Sequence, residues 1–536
     1  MLFNSYLFIF AFLPASLAGF YLLSRLGRRS AAAWLALVSV LFYGWWNPQF
    51  VVLLAASVGL NYGAAEAIAA TRERPRAQAA LLALAIALNL SALVYYKYLA
   101  SLIATATGLG LIHAATPSIV LPLGISFFTF TQIGYLVDVK QGTAEERGLL
   151  NYVLFVTFFP HLIAGPILHH REIMPQFREA ATYRVSGESL CVGASIFAIG
   201  LAKKSLLADP LSAGVASGFA AAPHQPLLAA WGTALSYALQ LYFDFSGYSD
   251  MAIGLARMFN VRFPLNFDSP YKATSIIEHW QRWHMTLTRY LTLYLYHPQA
   301  LAIRRRRTSR GLGIARDALA TPGGFASMVA LPTTTTMALA GVWHGAGLQF
   351  LVFGLLHSVY LTINHAWRIL FPPAPGRADS RLVHGAKLLL THCAVLVSLI
   401  FFRAPSFGAA VDFLRGMIGL HGIGALPVPA SALARLGAPG DAMLARGIAV
   451  VVPAKDFAAG LAHGLWICAL YAVVWGLPNT QQVMHRFAPA LGRVQPGRLQ
   501  VLAWQPRLGW ALALGVLASL GVLAIGGTSE FLYFQF

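Results

Sequence analysis

The sequence predicts an all-α polytopic membrane protein, and composition, the recurrence of apolar runs and the placement of basic residues carry that prediction. Hydrophobic residues make up 57% of the 536-residue chain and charged residues only 11%. Soluble domains carry about a quarter charged residues, which excludes an ordinary soluble enzyme. About 20 apolar residues cross the hydrocarbon of a bilayer, and runs of that kind recur from 4–24 to 508–527. Arg and Lys gather in the short stretches between them, as the positive-inside rule requires.

Taken in order, the first run (4–24) has no positive charge before it and Arg25, Arg28 and Arg29 after it. It reads as a membrane helix with its N-terminus outside the cytoplasm, not as a cleavable signal. Runs 32–48, 50–70 and 78–96 follow, with Arg72, Arg74 and Arg76 on the cytoplasmic side. Runs 117–138 and 150–168 are interrupted by Pro122-Leu-Gly124 and by Pro160 to Pro166, so re-entrant or half-length helices buried in protein are expected there. Runs 188–207, 227–246 and 272–296 lead to the basic stretch Arg304–Arg307, read as cytoplasmic. After 328–342, 346–370 and 384–402 comes the main interruption, 419–458, external by parity. The 460–477 run returns to Arg486, Arg493, Arg498 and Arg507, and 508–527 is the last. About eleven to thirteen crossings are expected, with both termini periplasmic.

The formal charge of +19 sits in loops between helices, without a nucleic-acid-binding module around it. Orientation and anionic headgroups account for it, and a nucleic-acid partner is not expected. Cys191, Cys393 and Cys468 stand singly in apolar stretches, so neither a disulfide framework nor a cysteine metal site is expected. No internal repeat is evident, which argues against an inverted-repeat transporter. One integral domain covers 1–536, with a core at 1–505 and a last helix and tail at 506–536.

Within this apolar background a few polar residues stand out. His344 lies in Trp343-His-Gly345, between two apolar runs, and an ionisable group at membrane depth suggests a functional site. Imidazole is also the side chain suited to moving a proton near neutral pH. Asp244 and Asp250 must be paired, hydrogen-bonded or facing a watery cavity. Six residues apart, they lie roughly 120° apart on a helix and do not form an acid/base dyad, so a structural, helix-capping role competes with catalysis. Gly247 between them is a candidate helix break. Glu278 and Arg282 are spaced for an i,i+4 ion pair. His279 and His284 have the wrong spacing for a metal pair, the adjacent His169 and His170 make a poor chelate, and no metal is expected. His284 sits among Trp280, Trp283 and Leu287. His357 falls on another side of its helix from His344, and a packing or hydrogen-bonding role is expected for it.

Several motifs recur in order along the chain. They are Leu121-Pro-Leu-Gly-Ile-Ser-Phe-Phe128, Phe158-Phe-Pro160 with Ala164-Gly-Pro-Ile167, and Asp244-Phe-Ser-Gly-Tyr248. Then come Arg282-Trp-His284, Gly341-Val-Trp-His-Gly345 with Phe353-Gly-Leu-Leu-His357, Phe402-Arg-Ala404 and Leu477-Pro-Asn-Thr480. Together they resemble the membrane-bound O-acyltransferases, in the branch typified by bacterial alginate O-acetyltransferases. His161, His169 and Gln281 depart from the residues common at those positions.

The resemblance implies a helical bundle with a central funnel or tunnel, in a bacterial inner membrane. It implies His344 as the catalytic histidine and His284 as its partner, with Asp244, Arg282, Trp283 and Trp343 lining or supporting the tunnel. It further implies no bound cofactor, acetyl-CoA or a carrier thioester as acyl donor, a periplasmic Ser-Gly-Asn-His-type acetyltransferase, and a polysaccharide synthesis and export complex. D-alanyl transfer to a cell-wall polymer, and a non-catalytic scaffold or transporter, are the competing expectations. A hydroxyl attacking a thioester needs a base, and a neutral imidazole serves near pH 7; the second histidine would orient the nucleophile or donate to the oxyanion.

The chain ends Glu530-Phe-Leu-Tyr-Phe-Gln-Phe536, on composition an aromatic interfacial anchor. Phe-x-Tyr-x-x-Phe also resembles the C-terminal motif of a small helical partner in teichoic acid D-alanylation. That likeness implies Tyr533 as an acyl relay, and six residues extend to about 20 Å, far enough to enter a tunnel from its mouth.

Overall fold

The computed structural model describes residues 1–372, 379–526 and 531–532, and these are mostly helical. Among the described residues six helices are long and apolar enough to cross a bilayer: Gln49–Ala70, Pro75–Gly108, Gly187–Ala220, Pro322–His344, Arg381–Arg403 and Ala454–Gly476. Two shorter apolar helices, Phe8–Leu23 and Leu508–Leu523, flank the bundle in sequence.

Several of the remaining apolar runs are helical but broken, for reasons visible in the chain. Gly124 takes a left-handed conformation (φ 71°) and starts the 16-residue helix Ile125–Lys140, which leaves the residues around Pro122 outside any helix. The second interrupted run divides at Phe158 into Leu149–Thr157 and Phe159–Leu162. The run at 272–296 divides at Trp283 and His284 into Ile276–Arg282 and Met285–Leu291. Non-helical backbone of this kind is tolerated at membrane depth only where protein or a watery cavity surrounds it.

Among the described residues the two strands lie in the 419–458 interruption. Strands Leu426–Pro429 and Ala449–Val452 pair in parallel, Leu426 opposite Ala449, with two short helices supplying the crossover.

At the centre, Leu227–Met258 runs for 32 residues and is buried from Ser236 to Met258. Gly247 does not break it, contrary to the sequence expectation. A methyl group on Gly247 would lie 2.8 Å from the Gly200 carbonyl oxygen, and one on Gly254 2.6 Å from that of Gly193. The helix Gly187–Ala202 therefore packs against it backbone to backbone, as small residues allow between membrane helices. Gly247→Val is expected to force these helices apart and to lower the melting midpoint of the detergent-solubilised protein by several degrees, on the order of 1–3 kcal/mol of overpacking. A midpoint equal to the wild type would contradict this packing role.

The close approach fixes a buried charge network. From the π-helical turn Lys203–Ala208, Lys204 reaches Asp244 at 2.6 Å and Asp209 at 2.7 Å, and Lys203 reaches Asp250 at 2.6 Å. Asp250 also accepts from the Thr480 hydroxyl (2.6 Å) and the Gln481 amide (3.0 Å). Both carboxylates thus sit within a continuous helix and are paired, as burial demands, while the capping role is not theirs.

Candidate functional site

His284 stands on an unusual piece of backbone. It is a non-glycine residue in the left-handed region (φ 43°, ψ 52°) between the helices Ile276–Arg282 and Met285–Leu291. Such a conformation persists only where its surroundings over-determine it. Arg282 supplies part of that support: it bonds Glu278 at 2.8 Å, the expected i,i+4 pair, and its backbone carbonyl accepts from Asp268 N–H at 2.9 Å. Asn479 donates to Asp268 at 2.8 Å, which joins the Leu477–Thr480 motif to the same turn.

Asn266 completes the support. Its side-chain oxygen lies 3.1 Å from His284 Nδ1 and 2.8 Å from the Thr286 hydroxyl, and its amide donates to Ser249 at 3.0 Å. An oxygen that accepts here requires Nδ1 to carry the ring proton, so in the neutral ring Nε2 is the acceptor nitrogen. Phe245, next to Asp244, packs edge-on to the ring at 4.8 Å. Nothing in the local sequence shows which side chain an asparagine at this turn will meet.

His344 ends the helix Leu331–His344 and is buried. Its ring packs against Trp343 (4.8 Å), Phe402 (5.0 Å) and Phe353 (5.8 Å), which gathers three separate motifs around one imidazole. The hairpin to Leu348–Leu370 is tight because Gly341 and Gly354 face each other; a methyl group on either would lie 3.1 Å from the other's Cα. His284 is among the groups, with Lys97 and His357, whose charge would act on His344.

Two cavities lie beside these residues, one bordering neighbours of His284 and one bordering His344 itself. One, of about 460 Å³, is walled by Trp280, Gln281, Met285, Thr286, Arg289 and Leu491, and so touches the residues just after His284. The other, about 40 Å³, is formed by Lys97, Leu121–Phe127, Ile163, Trp343 and His344.

Of the other sequence candidates, Trp283 stacks among Phe267, Tyr271 and His279 rather than on His344. Arg282, about 30% exposed, supports the turn from its outer side. His357 accepts from Trp280 Nε1 (3.2 Å) and bonds Ser398 (3.0 Å), the hydrogen-bonding role expected of it. Asp244 accepts the Leu532 N–H at 3.1 Å, and Phe531 is buried edge-on to Tyr248 at 4.4 Å, below the Lys204 ammonium. Tyr533 lies outside the described residues.

The histidines dismissed as a chelate do converge, with Asp138, on one point. His169 and His170 Nε2 lie 3.1 and 3.0 Å from Asp138 Oδ2, and the Tyr294 hydroxyl donates to the same oxygen at 2.6 Å. Among the described residues this is the group whose His and carboxylate ligand atoms lie close enough for a metal. His169 Nδ1 accepts from Arg171 N–H, so its Nε2 carries the proton where a metal would need a lone pair. The arrangement serves as a hydrogen-bonded hub.

A family profile of the membrane-bound O-acyltransferases matches residues 138–312, which include His284. The chain is 36% identical over 451 residues to a peptidoglycan O-acetyltransferase of Helicobacter pylori, covering 79% of this chain and 81% of the relative. It is 35% identical over 422 residues to a probable alginate O-acetylase AlgI of Pseudomonas aeruginosa, covering 78% and 75%. A probable alginate O-acetylase AlgI of Azotobacter vinelandii is 35% identical over 415 residues, covering 76% of each chain.

Proposed function

The chain belongs to the membrane-bound O-acyltransferase family, and from that premise we propose that it moves an acetyl group from a cytoplasmic thioester to a receiver on the opposite face of the membrane. The acetyl group is destined for an exported polysaccharide. The observation that carries this reading is His344, caged by aromatic rings from the ordered motifs and lining a small cavity, while a larger cavity borders residues on both sides of His284.

The larger cavity lies against Arg289 and the segment near Gly492, both close in sequence to the basic stretches assigned to the cytoplasm. The donor thioester enters there; acetyl-CoA is the donor favoured, and a carrier-protein thioester the alternative. The receiver's hydroxyl attacks the thioester carbonyl as its proton passes to His344. A carbon–oxygen bond forms, the carbon–sulfur bond breaks, and the departing thiolate regains the proton. His284, its ring fixed by Asn266, shapes the same site without taking the proton.

The receiver proposed is Tyr533. Its chain neighbours Phe531 and Leu532 are buried against Tyr248 and Asp244, one residue from the Phe245 ring that packs on His284. That burial favours a docked tail over an interfacial anchor. A periplasmic Ser-Gly-Asn-His-type transferase then carries acetyl to the polymer. The relatives named above support both alginate and peptidoglycan as acceptors.

Tyr533→Phe tests the relay: polymer acetylation in cells is expected to fall to background while protein level stays normal. Full acetylation in that variant would sink it. Acetyl ester content of purified alginate and of peptidoglycan, measured in the same cells, decides between the polymers.

A further inference from the structure

Lys97 has no place in the chemistry above, yet it reaches the same helix end as His344. It is the sole Lys, Arg, Asp or Glu between residues 77 and 112. A charge inside such an apolar helix marks a functional position by default. The helix departs from α geometry at this point, where Val94–Tyr98 form a π-turn, a feature frequent at functional sites.

What Lys97 reaches is the end of the His344 helix. The last turn of an α-helix leaves its carbonyls without intrahelical donors. Lys97 Nζ donates to the Trp343 carbonyl at 2.5 Å, and the Tyr98 hydroxyl donates to that of Val342 at 2.8 Å. The ammonium also lies 5.8 Å from the Trp343 ring centre. A cation at a helix C-terminus is favoured by the helix dipole. An ammonium has three N–H donors, and the Trp343 carbonyl occupies one. Lys97 and His344 line one cavity of about 40 Å³, room for a few waters or an acetyl-sized group.

Resting on the proposed thioester chemistry, we infer that Lys97 is a catalytic residue whose ammonium stabilises the acyl oxygen. One N–H clamps the helix end that bears His344, and another meets the oxyanion. When the hydroxyl oxygen adds to the carbonyl carbon, the carbonyl π-electrons move onto oxygen, and that negative charge sits against Lys97. Collapse of the adduct restores the carbonyl, breaks the carbon–sulfur bond and expels the thiolate. A fixed charge in a water-poor site is well suited to this role, and removal of one such donor commonly costs about 10²–10³ in rate.

The test uses the full-length protein in proteoliposomes with labelled acetyl-CoA, and follows both thioester hydrolysis and acetyl transfer. Both reactions pass through the same oxyanion. Lys97→Gln keeps a donor for the Trp343 carbonyl but loses the charge; Lys97→Arg keeps both. The expected result for Lys97→Gln is a fall of about a hundredfold in kcat for both reactions. KM for acetyl-CoA and the melting midpoint stay near the wild-type values, and Lys97→Arg restores most of the rate. Lys97→Met, without donor or charge, loses rate as Lys97→Gln does and also melts earlier.

Wild-type kcat in Lys97→Gln would overturn the inference, as would loss of transfer with hydrolysis intact. Equal loss in Lys97→Gln and Lys97→Arg, both folded, would overturn it too. A wild-type protein that neither hydrolyses nor transfers the thioester would instead refute the donor reading on which it stands.

Discussion

Lys204→Met is expected to destabilise the protein by about 3–5 kcal/mol, the usual consequence of stripping one partner from a buried ion pair. Lys204 and Asp244 are each about 2% exposed in their side chains and lie 2.6 Å apart. Without the ammonium, the Asp244 carboxylate keeps the Leu532 N–H as its described neighbour and stays desolvated. Asp244→Asn should do less harm, on the order of 1–2 kcal/mol, because Lys204 retains Asp209 and the amide oxygen can still accept from Leu532. Thermal unfolding in detergent, followed by size-exclusion recovery after heating, ranks the two variants. The reverse ranking would mean that Asp209 does not hold the Lys204 charge once Asp244 is neutral.

His344→Ala is expected to reduce acyl transfer by at least about a thousandfold, within the range spanned by loss of a general base. Protein level and melting behaviour should stay close to wild type, since the ring already borders a cavity and its removal enlarges that cavity without stranding a charge. Initial rates with labelled acetyl-CoA, alongside gel-filtration profiles, check both halves. Transfer at even a tenth of the wild-type rate would remove His344 from the role of base.

Much of this arrangement was legible in the sequence, though not its partners. The apolar runs and their basic boundaries give the class of the fold because the bilayer imposes length and backbone satisfaction on every segment. The breaks near Pro122 and Pro160 were readable from the proline and glycine that cause them. His344 and His284 stood out as polar residues in apolar surroundings, and the i,i+4 geometry of Glu278 and Arg282 follows from helix pitch alone.

Partners in other segments were harder to see. Lys203 and Lys204 meet Asp250 and Asp244 only because facing glycines bring two helices into backbone contact. Gly247 shows the ambiguity: the same residue type serves a helix break and a close approach, and only the neighbouring helix decides between them. Asn266 fixes the His284 ring from 18 positions away in the chain, and Lys97 reaches Trp343 from 246 away. For Lys97 the signal existed, as a lone charge in an apolar helix, but its contact did not. The parallel strand pair within 419–458 had no strong alternation of apolar and polar residues to announce it; its strands are largely exposed.

The central claim is that acetyl crosses from one face of the membrane to the other through the site held by His344. Side-resolved transfer tests it most directly: full-length protein in sealed vesicles, labelled acetyl-CoA supplied only to the face bearing Arg304–Arg307, and label sought on the opposite face. Wild-type vesicles should deliver label across the membrane, and His344→Ala vesicles should deliver none. Delivery by the His344→Ala protein at the wild-type rate would contradict the account.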